Sequence, residues 1–169
     1  MLSKRIIACL DVRDGSVVKG INFEGLRNAG APATLATRYN REGIDEVVIL
    51  DVTATIEKRK ALAETIQAVA QKIFLPLCVG GGIRGEDHAA AAIEAGADKV
   101  GINTAALSHP ELITTLARRY GSQAIIVAID AKRENTGSRF MFAVVSRART
   151  AMPWNGQPRR PTAAPAKSC

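Results

Sequence analysis

The chain has 169 residues, 47% of them apolar, which is enough for one domain with a real core and excludes a disordered polymer. Its net charge of +7 invites a nucleic-acid reading, but six basic residues (Arg139, Arg147, Arg149, Arg159, Arg160, Lys167) fall within 139–169, where no acid occurs. Residues 1–138 carry only +1 and lack the basic face with interleaved aromatics of a nucleic-acid binder.

No apolar run approaches the roughly 20 residues of a bilayer span, and Met1–Ala8 has no apolar stretch leading to a cleavage site, so a cytoplasmic protein is expected. The first β-branched run, Arg5–Leu10, predicts a buried strand ending at Asp11. A long link, Asp11–Pro32, carries Lys19 and precedes a helix over Ala33–Glu42. Glu46–Leu50 predicts the second strand, closed by Asp51, and Lys58–Lys72 the second helix. Phe74–Val79 predicts the third strand, Gly80-Gly81-Gly82-Ile83-Arg84 a turn, and Gly85–Ala95 the third helix. Lys99–Ile102 predicts the fourth strand, and Ser108–Tyr120 the fourth helix. Ser108-His109-Pro110-Glu111 has the composition of a capping box, with Pro110 suited to the first turn. A fifth strand, Ala124–Ile129, ends at Asp130. Strand and helix in alternation imply a parallel sheet, and unbroken apolar strands imply burial on both faces. Beyond Arg139 the pattern fades: Ala143–Ser146 is a possible strand fragment, and Met152–Cys169, with four of the seven prolines, is expected to be disordered.

The polar residues of interest fall at the C-terminal ends of the strands, where parallel α/β folds carry their sites. An aspartate there (Asp11, Asp130, with Asp51 a third candidate) can act as a general acid or base; position alone leaves a turn-capping role equally open. The glycine turn lets backbone amides approach a phosphate at a helix N-terminus, and Gly101-Ile102-Asn103-Thr104 can clamp the same group from the next strand. Lys19 can close over an anion, although a solvated lysine is the commoner outcome. Cys9 and Cys78 read as buried small hydrophobes and, with Cys169, form neither a zinc spacing nor a disulfide framework. His88 and His109 read as exposed first-turn residues without a metal partner.

Taken together, Arg5–Gly15, Val17–Phe23, Asp51–Thr55, Val79–Arg84, Val100–Ala106 and Val127–Arg133 resemble, in order, the cyclase subunit of imidazole glycerol phosphate synthase, over about residues 1–137. The resemblance implies the (β/α)8 TIM-barrel family, with the first four βα units and the fifth strand present and an irregular tail after them. It implies that ammonia from a glutaminase partner attacks a phosphoribulosyl formimino carboxamide nucleotide, giving imidazole glycerol phosphate and aminoimidazole carboxamide ribotide. Asp11 and Asp130 match the family's acid/base pair and Lys19 its mobile-loop lysine. Gly82, Asn103 and Thr104 match one phosphate site. Arg5, Glu46 and Lys99 match the ammonia gate at the N-terminal mouth, where the glutaminase docks. No cofactor or metal is implied.

A complete barrel needs eight strands in about 250 residues, and only five are legible here. The family pattern is expected over residues 1–138, with 139–169 a non-family tail. Permitted codons for Ala151–Gln157, read from their third base, spell Asp-Ala-Val-Glu-Trp-Ala, which resembles the family's next helix. The same offset over Ala164–Cys169 and a TGA stop can spell Ala-Gly-Glu-Ile-Leu-Leu, which resembles its sixth strand. A frameshift between about Gly137 and Ala151 follows as the expectation. Sequencing the gene across those codons tests it: the family's frame should resume downstream in the offset register, and unrelated codons there refute it.

Overall fold

The computed structural model of the chain describes residues 4–21, 24–52, 59–134 and 137–141. Strand β1 (Ile7–Arg13) turns at Asp14-Gly15 into β2 (Ser16–Ile21), which runs back antiparallel with Val17 opposite Val12 and Ser16 opposite Arg13. Both turn residues have positive φ, 52° and 74°, as a two-residue hairpin turn requires, and Asp-Gly is the pair best able to supply it. Strand β3 (Glu24–Gly30) then pairs antiparallel with β2. Much of the expected long first link is therefore a three-strand meander on the edge of the sheet.

From Pro32 the expected alternation holds: α1 (Pro32–Arg41), β4 (Glu46–Asp51), α2 (Arg59–Ala70), β5 (Leu77–Gly80), α3 (Glu86–Glu94), β6 (Lys99–Ile102), a short α4 (Thr104–Ser108), α5 (Glu111–Tyr120) and β7 (Ile125–Val127). The sheet order is β3-β2-β1-β4-β5-β6-β7, with every neighbouring pair from β1 to β7 parallel. Parallel strands adjacent in chain order, with helices between them, form a barrel wall, so the fold is that of a partial (β/α)8 barrel. A separate antiparallel pair follows, β8 (Asp130–Glu134) with β9 (Gly137–Met141). The fifth strand is shorter than expected: it stops at Val127, and Asp130 opens β8. The predicted fragment Ala143–Ser146 and the segment Met152–Cys169 lie outside the described residues.

The core lies on one side of the sheet. Leu10, Val12, Val47, Ile49, Val79, Val100 and Ile102 alternate along the strands toward the helices and pack with Ala36, Ile66, Val69, Ala89, Leu112 and Leu116. The opposite face differs from the expectation of burial on both sides. At its centre Cys78 and Glu46 are buried, but toward the edges Ile7 is 46% and Ile126 36% exposed. The helices pack on one face, and the other is buried at its centre and partly exposed toward its edges.

The predicted capping box does not form. Ser108 is already the last residue of α4, and its hydroxyl donates back to the Thr104 carbonyl at 3.4 Å. Pro110 is the N-cap of α5, and no side chain caps it.

Two helix-to-strand connections share a pattern, Gly43-Ile44-Asp45-Glu46-Val47 and Gly96-Ala97-Asp98-Lys99-Val100. In each, the aspartate grips the neighbouring strand. The Asp45 carboxylate accepts the Ile6 N–H at 2.6 Å while its own N–H donates to the Ile6 carbonyl at 2.9 Å. Asp98 does the same to Leu77, at 2.8 and 2.9 Å. These clamps fix the strand register and set the direction of the charged residue that follows each one. Because Leu77 is 1% exposed, its N–H would be left without a partner in Asp98→Ala. That variant should lose about 1–3 kcal/mol of stability, read from the urea midpoint, with Asp45→Ala losing less because the Ile6 N–H can turn to water.

Candidate active site

In a parallel sheet, residues in register point to the same face, so the uncovered face can be read as layers. The layer nearest the C-terminal strand ends is Asp11, Leu50, Gly80, Gly101 and Ile126, from β1 across to β7. The next is Cys9, Val48, Cys78 and Lys99, and below it Ile7 stands beside Glu46. The two glycines of the first layer are adjacent, two strands from Asp11, and the Leu50 side chain lies over Gly80, where a Cβ would come within 2.8 Å of it.

Asp11 is half-buried, and desolvation raises its carboxyl above the ordinary carboxylate range. Asp51 sits at the end of β4 but in register with Val12, on the helix side, where it lines a small cleft with Asp14, Gly15 and Thr65. Asp51 is thus not in the Asp11 layer. Its backbone instead seats the glycine turn. Gly81 has φ 86°, and a Cβ there would collide with the Asp51 backbone, so no other residue fits. Gly82, next in the turn, is exposed and faces open space. Asn103 and Thr104 follow β6, as N-cap and first residue of α4, so both expected phosphate loops stand on neighbouring strands.

Lys19 is exposed on β2 opposite Arg27, on the hairpin rather than on an irregular loop. Asn22 and Phe23, between β2 and β3, lie outside the described residues. The backbone of Asp130 starts β8, and its side chain lies outside the described residues, as does Cys169.

The three expected gate residues do come together at the N-terminal end of the same face. Glu46 is 1% exposed, and its Oε2 accepts from Lys99 Nζ at 2.7 Å and Arg5 Nη1 at 3.1 Å. Cys78, beside this cluster, is buried as expected, and burial with the nearby Glu46 charge pushes its thiol up to about 11, so it is inert. Cys9 differs from the expectation: it is exposed, although it shares a layer with buried Cys78.

One residue of the site was missed. His88 is half-buried and bonded to the glycine turn, whereas a solvent-exposed role was expected. The signal was its spacing, at the third position of a helix whose N-cap, Gly85, has no side chain. His109 is exposed as expected, with Nδ1 3.3 Å from the Glu111 carboxylate. Among the described residues no group of His, Cys, Asp and Glu is placed to hold a metal, and no helix is long and apolar enough to cross a membrane.

Residues 5–154 match the family described as "Histidine biosynthesis protein". The chain belongs to this family. It is 56% identical over 137 residues to the imidazole glycerol phosphate synthase subunit HisF of Dehalococcoides mccartyi, covering 81% of this chain and 54% of that relative. The HisF subunit of Acidobacterium capsulatum is 56% identical over 138 residues, covering 82% and 54%. That of Thermotoga sp. strain RQ2 is 58% identical over 133 residues, covering 79% and 53%. The chain thus spans about half the length of these relatives.

The raised Asp11 carboxyl has a consequence for stability. Its folded-state pKa lies above the unfolded value, so its favourable contribution is complete below the unfolded value and is lost as pH rises through the folded one. The difference in melting temperature, Asp11→Asn minus native, should therefore grow as pH rises from the unfolded carboxylate range through the folded-state pKa, and then level off. A pH-independent difference would contradict desolvation at this carboxyl.

Proposed function

We propose that this chain carries the N-terminal half of an imidazole glycerol phosphate synthase cyclase site. In the complete reaction, ammonia would convert a phosphoribulosyl formimino carboxamide nucleotide into imidazole glycerol phosphate and aminoimidazole carboxamide ribotide. The observation that carries this reading is the first layer of the uncovered face, where a desolvated carboxyl stands in register with the strand ends that lead into the glycine turn and Asn103.

Asp11 is the acid/base residue of this half. Its raised pKa brings its two protonation states closer to balance near neutrality, as proton transfer to and from a ring-closing substrate requires. Asp130 is its partner on the far side of the substrate. Gly82, Asn103 and Thr104 bind one phosphate, supported by the start of α3 and by the adjacent strand ends that carry them. Lys19 reaches over the substrate from its hairpin, and Asp51 holds the glycine turn from beneath.

Arg5, Glu46 and Lys99 form the ammonia gate at the opposite end, and a glutaminase subunit docks there. Support comes from the shared Glu46 oxygen, which links three strands around one point, and from Phe74, fully exposed just before the Leu77 strand. The family match runs to residue 154, so only residues 155–169 stand outside it, and the basic charge of the tail has no part in the proposed function.

A second reading is favoured by the apolar residues left uncovered, Ile7, Ile126, Val127 and Ile129. On it the chain alone is an inactive half-barrel that self-associates and keeps at most phosphate or partner binding. The test supplies substrate and ammonium to the chain alone, then with a polypeptide carrying the part of the Thermotoga sp. relative that this chain does not match. The chain alone should turn over far more slowly than an intact relative. Turnover should appear with the added half and fall about 10²–10⁴-fold in Asp11→Asn. A complex of the two halves that forms but stays inactive would sink the cyclase reading, and intact-level turnover by the chain alone would sink the inactive one.

A further inference from the structure

Helix α3 begins without a side-chain cap. Its N-cap is Gly85, whose backbone is extended, and Glu86 is the first helical residue. His88 therefore occupies the third helical position, where a capping box carries a Glu or Gln that reaches back to an unpaired N–H. The imidazole does the same one residue further out. His88 Nδ1 lies 3.1 Å from the Arg84 backbone nitrogen and 3.0 Å from the Gly82 carbonyl oxygen.

One ring nitrogen serves these two partners in different states. A bare Nδ1 accepts from the Arg84 N–H, and a protonated Nδ1 donates to the Gly82 carbonyl. In either state the ring spans the turn, because Gly82 and Arg84 flank Ile83, whose side chain is pinned in the core at 7% exposure. Gly81 is wedged against Asp51 at the other end. The turn is thus held at Gly81 by backbone contact, at Ile83 by burial and between them by His88. Gly82 itself faces open space, and the ring grips it by its carbonyl.

We propose that His88 is a positioning residue of the phosphate turn, its Nδ1 holding Gly82 and Arg84 so that the turn's amides keep the direction in which they meet a phosphate. This rests on the reading of the turn as a phosphate site. His88 itself touches no phosphate; it acts through the backbone it grips. A cradle of amides binds an anion well only when its dipoles are already aligned, so loosening the turn costs affinity without removing a contact.

The test follows backbone amides of the full chain by NMR during titration with inorganic phosphate. In the native chain, phosphate should shift the amides of the turn from Gly81 to Arg84. His88→Ala should weaken phosphate binding about tenfold, and His88→Asn, whose side-chain amide can replace Nδ1 as acceptor or donor, should stay within about twofold. Without phosphate, the Arg84 amide should exchange at least about tenfold faster in His88→Ala than in the native chain, with His88→Asn restoring protection. Unchanged affinity and unchanged Arg84 exchange in His88→Ala overturn the proposal. So does a His88→Asn variant as impaired as His88→Ala, because the loss would then come from the helix and not from the grip on the turn. Arg84 protection that follows the variants as expected, in a native chain that binds no phosphate at the turn, overturns the phosphate reading while upholding the clamp.

Discussion

A carboxylate taken out of water costs several kcal/mol unless it is paired and hydrogen-bonded, and the placement of Glu46 at 1% exposure depends on that pairing. One of its oxygens takes both Lys99 and Arg5. The three residues come from β4, β6 and the segment leading into β1, so the pairing holds only if those strands stand in the observed order and register. The contact with Lys99 is the stronger half, since Lys99 is mostly shielded while the Arg5 side chain is 62% exposed and screened by water. The Asp45 and Asp98 clamps make this geometry possible: each locks the residue before Glu46 or Lys99 to a neighbouring strand, leaving the charged side chain to point into the uncovered face. The N-terminal end of the sheet is thus a charged plug, and at the C-terminal end the same face carries, among the described residues, Asp11, Leu50, two glycines and Ile126.

That polarity is a consequence of parallel topology. Strands β1, β4, β5, β6 and β7 all enter at the same end, so residues after a helix collect at one mouth and residues before a helix at the other. Rigid backbone devices stand at both ends, and they differ in kind. At the N-terminal mouth, aspartate side chains hold backbone; at the C-terminal mouth, backbone is held by the close approach of Gly81 to Asp51 and by the His88 ring.

Most of this was legible in the residue pattern. Four strand–helix alternations and the fifth strand were read within a few residues, because β-branched runs and Ala-rich segments have different periods. The misreadings share a cause, which is that local chemistry was weighed without its neighbours. Asp14-Gly15 is a strong hairpin signal, but the polar residues around it made the segment read as a loop. Ser108 and Glu111 had capping-box spacing, yet α4 had already claimed Ser108, and a serine inside a helix donates to the carbonyl four residues back. His88 read as exposed because helical periodicity says where a side chain starts and not that it can bend back over its own N-terminus. The cysteines read alike from their apolar runs, and only the sheet's uneven cover separates exposed Cys9 from buried Cys78. The gate residues were placed by resemblance alone, although the repeated Gly-apolar-Asp-charged-Val pattern was in the sequence to be found.

The uncovered face bears directly on the chemistry of Asp11. Its pKa is raised by desolvation alone, although the carboxyl is only partly buried. Packing further apolar wall against that face would deepen the desolvation and move the carboxyl further toward neutrality. It would also strengthen every amide dipole aimed at a bound phosphate, because the same field acts over a lower dielectric. Stability and acid/base competence would therefore rise together as the face is covered, the first through apolar burial and the second through the carboxyl that burial desolvates. On the proposed reading, how far Asp11 serves as an acid depends on what lies against it.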